Sequence, residues 1–302
     1  MTDNARAALL MTLGMASFAC EDALLKFLSQ SIPTGELLLV LGFAGMILFG
    51  AWVARSSEGL RLRDLLHRGV MLRNFCEAVC SVSFVTALAI GDLSTASAIL
   101  QALPLLMTLG AALFLGEPVG WRRWLSIMLG FAGVLMIVRP GTDAFQPGSI
   151  LALIAVLALA VRDLVTRRLP ASIGSGTLTA SAFGAIGIAG LVLLILDAQR
   201  LVAPRPVEGV MMAASLCFGL AGYITMVIAT RIGEIGAIAP FRYSRLVFAI
   251  ILGVVIFAER PDLWTLAGAG LIASAGGYAM WREARLRRRR KSDPAGSLIR
   301  PG

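Results

Sequence analysis

Histidine is almost missing from this chain. His67 is the only one among 302 residues and lies in a basic loop, so neither a histidine metal site nor a histidine catalytic group has support. The four cysteines, Cys20, Cys76, Cys80 and Cys217, all fall inside apolar segments. They match no zinc spacing and outline no disulfide framework, which leaves them as small core residues. Charge is scarce as well. Charged residues make up 15% of the chain against 58% hydrophobic ones, and mean hydropathy is +0.83. A soluble domain sits nearer about half apolar and a quarter charged. There is no HExxH, no nucleotide-binding loop and no plausible triad histidine, so an enzyme has no motif behind it. No cofactor, metal ligand or catalytic residue is expected.

What is present is a series of apolar runs of about 20 residues, the length that spans a hydrocarbon core as a helix. Such continuous runs do not fit the ten-residue alternation of a membrane barrel. The runs and their breakers predict an all-α polytopic membrane protein, with ten helices near 7–28, 35–54, 70–90, 94–115, 121–139, 148–168, 176–196, 208–230, 236–258 and 263–281. The first run holds Glu21 and Asp22 and lacks a small-x-small cleavage site, so it is read as a span rather than a signal peptide. Connections are short and no soluble domain fits.

The sequence is also written twice. Asp92 and Glu117 recur as Glu234 and Glu259 at an offset of 142, and Asp22-x-x-x-Lys26 recurs as Asp163-x-x-x-Arg167 at an offset of 141. The expected halves are 7–139 and 148–281, followed by a basic tail, 282–302. Five spans per half send the second copy in with opposite orientation, giving an inverted repeat. Arginines set that orientation. Arg6, Arg55, Arg61, Arg63, Arg68, Arg122, Arg123, Arg167, Arg168, Arg231 and the tail lie on one side, against Arg139, Arg200, Arg205 and Arg260 on the other. The positive-inside rule then places both termini in the cytoplasm. The net charge of +9 is read as orientation and lipid contact through the tail, not as nucleic-acid binding, because no aromatic-studded basic surface accompanies it.

Several ionisable residues fall inside the spans, where each would cost about 2.5–3.5 kcal/mol at a lipid-facing centre. Helical spacing sets Asp22 with Lys26, Arg73 with Glu77, and Asp163 with Arg167, one turn apart. Lys26, Arg73, Arg162 and Arg167 lie near helix ends and are read as snorkelling. For Asp22, Glu77 and Asp163, structural ion pairing and a pathway role stand level. Arg242 and Arg245 share a face with no acid on their own helix, so their counter-charge comes from another helix or from a ligand. Two guanidiniums there suit an oxyanion or an electron-rich ring. Prolines interrupt Gln101-Ala102-Leu103-Pro104 and Ala239-Pro240-Phe241-Arg242-Tyr243, and Gln101 corresponds to Tyr243 at the repeat offset. The expected substrate-binding set is Arg242, Arg245, Tyr243, Gln101 and Glu77, with Asp22 and Asp163 as coupling or gating groups. Gly130 and Gly133 in helix 5, and Gly268, Gly270, Gly276 and Gly277 in helix 10, predict close packing or a dimer surface, which leaves a homodimer open.

The chain resembles the EamA-like transporters of the drug/metabolite transporter superfamily over nearly its whole length, as two repeats. The residues that carry the resemblance are Phe18-x-x-x-Asp22-x-x-x-Lys26, Leu115-Gly116-Glu117-Pro118 with Trp124 and Gly130-Phe131-x-Gly133-Val134, Arg162-Asp163, and Ala239 to Tyr243 with Glu259-Arg260-Pro261-Asp262. It implies a ten-helix inverted repeat in a bacterial inner membrane, a central cavity lined mainly by the first four helices of each half, and transport without ATP. The helix 1 and helix 9 strings look most like S-adenosylmethionine and riboflavin uptake carriers. Where the former have an acid this chain has Arg245, which points to a neutral or anionic ring-containing substrate such as a flavin. The alternatives are export of amino acids or related metabolites, S-adenosylmethionine uptake, and a membrane scaffold without a transport cycle.

Overall fold

With no water in a bilayer to satisfy the backbone, a chain this apolar folds as helices that bond within themselves. The computed structural model describes residues 3–292 apart from 56–61, 115, 117–119, 143–144, 171, 199–200 and 234–237. The Glu117-Pro118 turn, Glu234, Arg61, Arg200 and the tail beyond 292 therefore lie outside the described residues. The elements are α1 (Asp3–Leu28), α2 (Thr34–Arg55), a single turn α3 (Leu62–Leu65), α4 (Arg68–Ile90), α5 (Leu93–Leu100), α6 (Leu103–Phe114), α7 (Trp121–Val138), α8 (Pro147–Arg167), α9 (Ser175–Leu196) and α10 (Pro206–Ile232). A 3-10 turn (Ala239–Tyr243), α11 (Ser244–Phe257) and α12 (Leu263–Ser292) complete the chain. Pro147 and Pro206 open their helices where a missing N–H costs nothing. Gly116, at φ +64°, takes the left-handed conformation that follows many helices, and Ala258, its counterpart at the repeat offset, does so at φ +52°.

Two of the expected spans are not continuous. The fourth breaks at Gln101-Ala102 between α5 and α6, and the ninth is a 3-10 turn before it becomes α11. Pro104 and Pro240 explain the interruptions, since each removes a backbone donor. The breaks coincide under the repeat, Gln101-Ala102 matching Tyr243-Ser244, although the prolines sit on opposite sides of them. Among the described residues, nine spans are long and apolar enough to cross a membrane. The tenth is the glycine-rich first part of α12, which packs lengthwise on α7.

The packing repeats the symmetry of the sequence. The most extensive pairings are α2 with α9, α1 with α10, α4 with α8, and α7 with α12. Exchanging each span with its counterpart five places on maps this set onto itself. Every one of these pairings joins one repeat to the other. Glycine permits the closest crossings: a Cβ on Gly42 would come within 2.6 Å of the Gly187 Cα, and one on Gly133 within 2.7 Å of the Gly268 carbonyl. The start of α1 and the end of α12 lie on one face of the bundle, here the terminal face. Ile90, α5 and the end of α11 lie at the opposite face. All eight residues of α5 are buried, and the main apolar core forms around it.

Candidate functional site

A cavity of about 560 Å³ opens between the halves. Its lining comes from spans 1 to 4 and 6 to 9, and none from spans 5 and 10. Towards the terminal face it reaches Phe49, Thr166 and Thr179, close to the ends of their helices. Towards the opposite face no lining residue comes nearer than about two turns to its span's end. The cavity is therefore asymmetric in depth.

Charged groups crowd this space, and they pair across helices. Asp22 of α1 is 2% exposed and takes a forked interaction from Arg245 of α11: Nη2 donates at 2.9 Å to Oδ1 and 2.8 Å to Oδ2, and Nε at 3.1 Å to Oδ2. The Phe18 ring lies 5.3 Å from the same guanidinium. Arg162 of α8 joins two acids, donating at 2.8 Å to Glu77 and at 2.6 Å to Asp163. Arg73 donates to the Asn74 side chain at 3.2 Å and to the Leu178 carbonyl at 3.0 Å. Desolvated charges in fixed geometry of this kind are stable only while each partner stays in place.

Like Arg73, whose partners are neutral, two further lining groups lack an opposite charge. Arg242 has no carboxylate within 4.0 Å among the described residues, and Glu21 has no cation within that distance. Glu21 rests in a notch on α10, where a Cβ on Gly219 would come within 2.7 Å of its Oε1. Gln101 sits in the break of span 4 and donates at 3.2 Å to the Arg242 carbonyl in the turn of span 9, so each interruption supports the other. Tyr243 also lines the cavity, while its hydroxyl is buried against Gly276 of α12 without a hydrogen-bond partner among the described residues.

Of the residues expected from the sequence, Arg242, Arg245, Tyr243, Gln101, Glu77 and Asp163 all line the cavity, and Asp22 stands directly behind Arg245. The expected pairs along single helices do not form. Asp22 turns to Arg245 rather than Lys26, Glu77 to Arg162 rather than Arg73, and Asp163 to Arg162 rather than Arg167. One turn of helix brings two side chains to the same side, but the cavity lies between helices, and a forked contact across it satisfies more donors. The doubly positive face also reduces to one uncompensated guanidinium, because Asp22 neutralises Arg245. Snorkelling fails for three of its four cases. Arg73 and Arg162 line the cavity, and Lys26 is buried against Glu259 at 3.1 Å. Glu21 is noted in the sequence only as an acid within the first run, and Tyr223 and Phe183 not at all, since a single acid or aromatic in an apolar run carries no sign of which side it faces.

Ten spans in two interlocked halves around a charged central cavity define a two-repeat membrane carrier. The EamA-like transporter family model matches residues 5–139 and 146–276, and the chain belongs to that family. It is 25% identical over 276 residues to an S-adenosylmethionine uptake transporter of Rickettsia felis, covering 90% of this chain and 91% of that protein. It is 28% identical to the pseudopaline exporter CntI of Pseudomonas aeruginosa, covering 88% and 93%. A riboflavin transporter of Rhizobium johnstonii is 29% identical, covering 69% and 68%. A solved crystal structure shares the fold, with a TM-score of 0.62 at 20% identity over 92% of this chain and 98% of that one.

Proposed function

We propose that this protein is a secondary transporter of the bacterial inner membrane, with both termini in the cytoplasm, that carries a small organic metabolite by alternating access and performs no chemistry on it. The observation that carries this reading is the buried, charged cavity between two repeats, which reaches further towards one face than the other. The halves are assigned to 7–139 and 148–281, and the tail 282–302 to contact with anionic lipid. The cavity's volume falls within the range of small-molecule sites, roughly 300–1,000 Å³.

The substrate reading is uptake of a ring-containing metabolite that bears an oxyanion or electron-rich ring, of flavin type. Arg242 supplies a lining guanidinium with no carboxylate partner among the described residues. Phe49 and Phe183, stacked with centroids 5.4 Å apart, and Tyr223 supply apolar and aromatic lining. A second reading, S-adenosylmethionine uptake, gains from the Asp22–Arg245 pair and from Glu21. The charge of Arg245 no longer opposes a cation, and Glu21 offers a carboxylate to one. Counterflow in proteoliposomes with labelled riboflavin, S-adenosylmethionine and aromatic amino acids separates these readings. Exchange of riboflavin alone supports the first, and exchange of S-adenosylmethionine alone the second. Exchange of neither by protein of proven fold removes both substrate assignments.

A further inference from the structure

At the opposite face the cavity ends against α5, and one buried carboxylate holds the start of that helix. Glu259 follows α11, just after the left-handed residue Ala258. Its Oε1 accepts from the Leu93 amide at 2.6 Å, and its Oε2 accepts from the Ser94 amide at 3.0 Å and the Ser94 hydroxyl at 2.6 Å. Lys26 of α1 brings the opposite charge, with Nζ 3.1 Å from Oε1, and donates as well to the Gly91 carbonyl. The Phe257 ring lies 5.1 Å from that ammonium. The side chains of Lys26 and Glu259 are only 11% and 4% exposed.

The cap is unusual in its source. Asp92 occupies the N-cap position of α5 yet makes no capping hydrogen bond, and Gln146 donates to its carboxylate instead. The amides that a local side chain ordinarily satisfies are met by an acid of the other repeat. The start of span 4 is therefore ordered only while span 9 lies against it and span 1 neutralises the acid.

We propose that Lys26, Glu259 and Ser94 form the latch that keeps the cavity shut at the opposite face, and that Glu259 is the positioning residue whose release opens it there. The inference rests on the alternating-access reading above. A carboxylate so far from water is tolerable only with its amides and its ammonium in place together. Parting spans 1, 4 and 9 exposes all of these groups at once, and hydration then replaces the lost bonds. The cluster thus favours two arrangements, fully closed or fully parted. The break at Gln101-Ala102 gives α5 a pivot that leaves α6 in position. At the terminal face Arg167, the counterpart of Lys26 at the offset of 141, is exposed, as is its neighbour Arg168, which donates to the Phe114 carbonyl.

The test reads the closed state directly. In protein whose four cysteines are replaced by serine or alanine, Ser97→Cys places a thiol on α5, at a position 1% exposed and outside the cavity lining. In lipid nanodiscs a membrane-impermeant maleimide reaches both faces, and labelling is expected to be slow. Adding Glu259→Gln or Lys26→Gln is expected to speed it about tenfold, and Ser94→Ala to speed it by less. Lys26→Arg, which keeps the charge, should leave it slow. A thiol introduced by Ile127→Cys, at a site 2% exposed in α7, should stay protected in every background, which separates opening from unfolding. If Glu259→Gln does not accumulate, Lys26→Gln and Ser94→Ala give the same readout. Labelling within about twofold of the parent in these backgrounds, or equal acceleration at Ile127→Cys, overturns the latch. Labelling needs no substrate. A protein that opens as expected yet exchanges none of the panel sinks the substrate assignments alone, and a transporting protein whose labelling ignores these substitutions sinks the latch alone.

Discussion

Arg242 and Arg245 stand three positions apart, and their surroundings give them different work. Arg245 is spent on Asp22, so Arg245→Gln would leave a deeply buried carboxylate without a partner. Loss of one member of such a pair costs about 3–5 kcal/mol. The variant should therefore show lower membrane abundance and a lower melting temperature. Joining it to Asp22→Asn, which removes the stranded charge, should restore part of both. Arg242→Gln strands no acid among the described residues. It should leave melting nearly unchanged while weakening the transported compound's apparent affinity roughly 10–150-fold, the equivalent of about 1.5–3 kcal/mol for a hydrogen bond to a charged group. Melting curves and counterflow titrations on the same preparations check both. Equal losses of stability in the two variants would erase the distinction.

At the scale of the element, α12 is held at its start and along its length. The Thr265 hydroxyl, helped by the Thr265 amide at 2.8 Å and by Arg139 at 2.5 Å, holds the Asp262 carboxyl below its ordinary value of 3.8. A lowered folded value means the stabilisation is fully present above the ordinary value and fades as pH falls through the folded one. Asp262→Asn should thus lower the melting temperature at pH 7, by less than about 1 kcal/mol for a group this exposed. The gap to the parent should close as the solution is acidified past the ordinary aspartate range. Further along, Gly268→Leu should force α12 away from α7, because even a Cβ at Gly268 meets the Gly133 carbonyl at 2.6 Å. The expected loss is about 1–3 kcal/mol, read as a drop in melting temperature. By contrast, Gly270 and Gly277 meet nothing within 4 Å, and substitution there should be mild.

Elements like these show how far a sequence reaches. The spans were legible because apolar runs of bilayer length have few other uses, and the two interruptions because proline marks them. The partners were not. Glu259 stood out as a repeated acid, but the amides it caps lie 166 and 165 residues away. Asp22 and Arg245 are separated by 223. A single sequence shows which side chains share a helix face; it does not show which face of which helix comes to meet them. Arg162 was misread for a related reason. Its place five residues from the end of α8 suggested lipid headgroups, yet the cavity reaches almost to that end.

For the whole molecule, the arginine distribution fixes an expected topology. The tail after Trp281 should lie in the cytoplasm, since the terminal face carries most of the arginines. A reporter enzyme active only in the periplasm, fused to the C-terminus, should stay silent. Activity would reverse the assignment of the two faces and place the Lys26–Glu259 latch on the cytoplasmic side.

The exchange of partners between halves has a consequence for how the protein is made. The most extensive helix pairings all join one repeat to the other, so the first five spans leave the ribosome before their principal partners exist. Until the second half is inserted, Asp22, Glu77 and Lys26 lack their partners Arg245, Arg162 and Glu259, and quality-control proteases meet polar faces exposed to lipid. A chain stopped in the connection near residue 143 should be short-lived in a pulse-chase experiment. Supplying residues 144–302 as a separate chain should lengthen its life, with the two fragments co-purifying. Assembly of this protein would then be a joining of two orphans, each stabilised by the other's arrival.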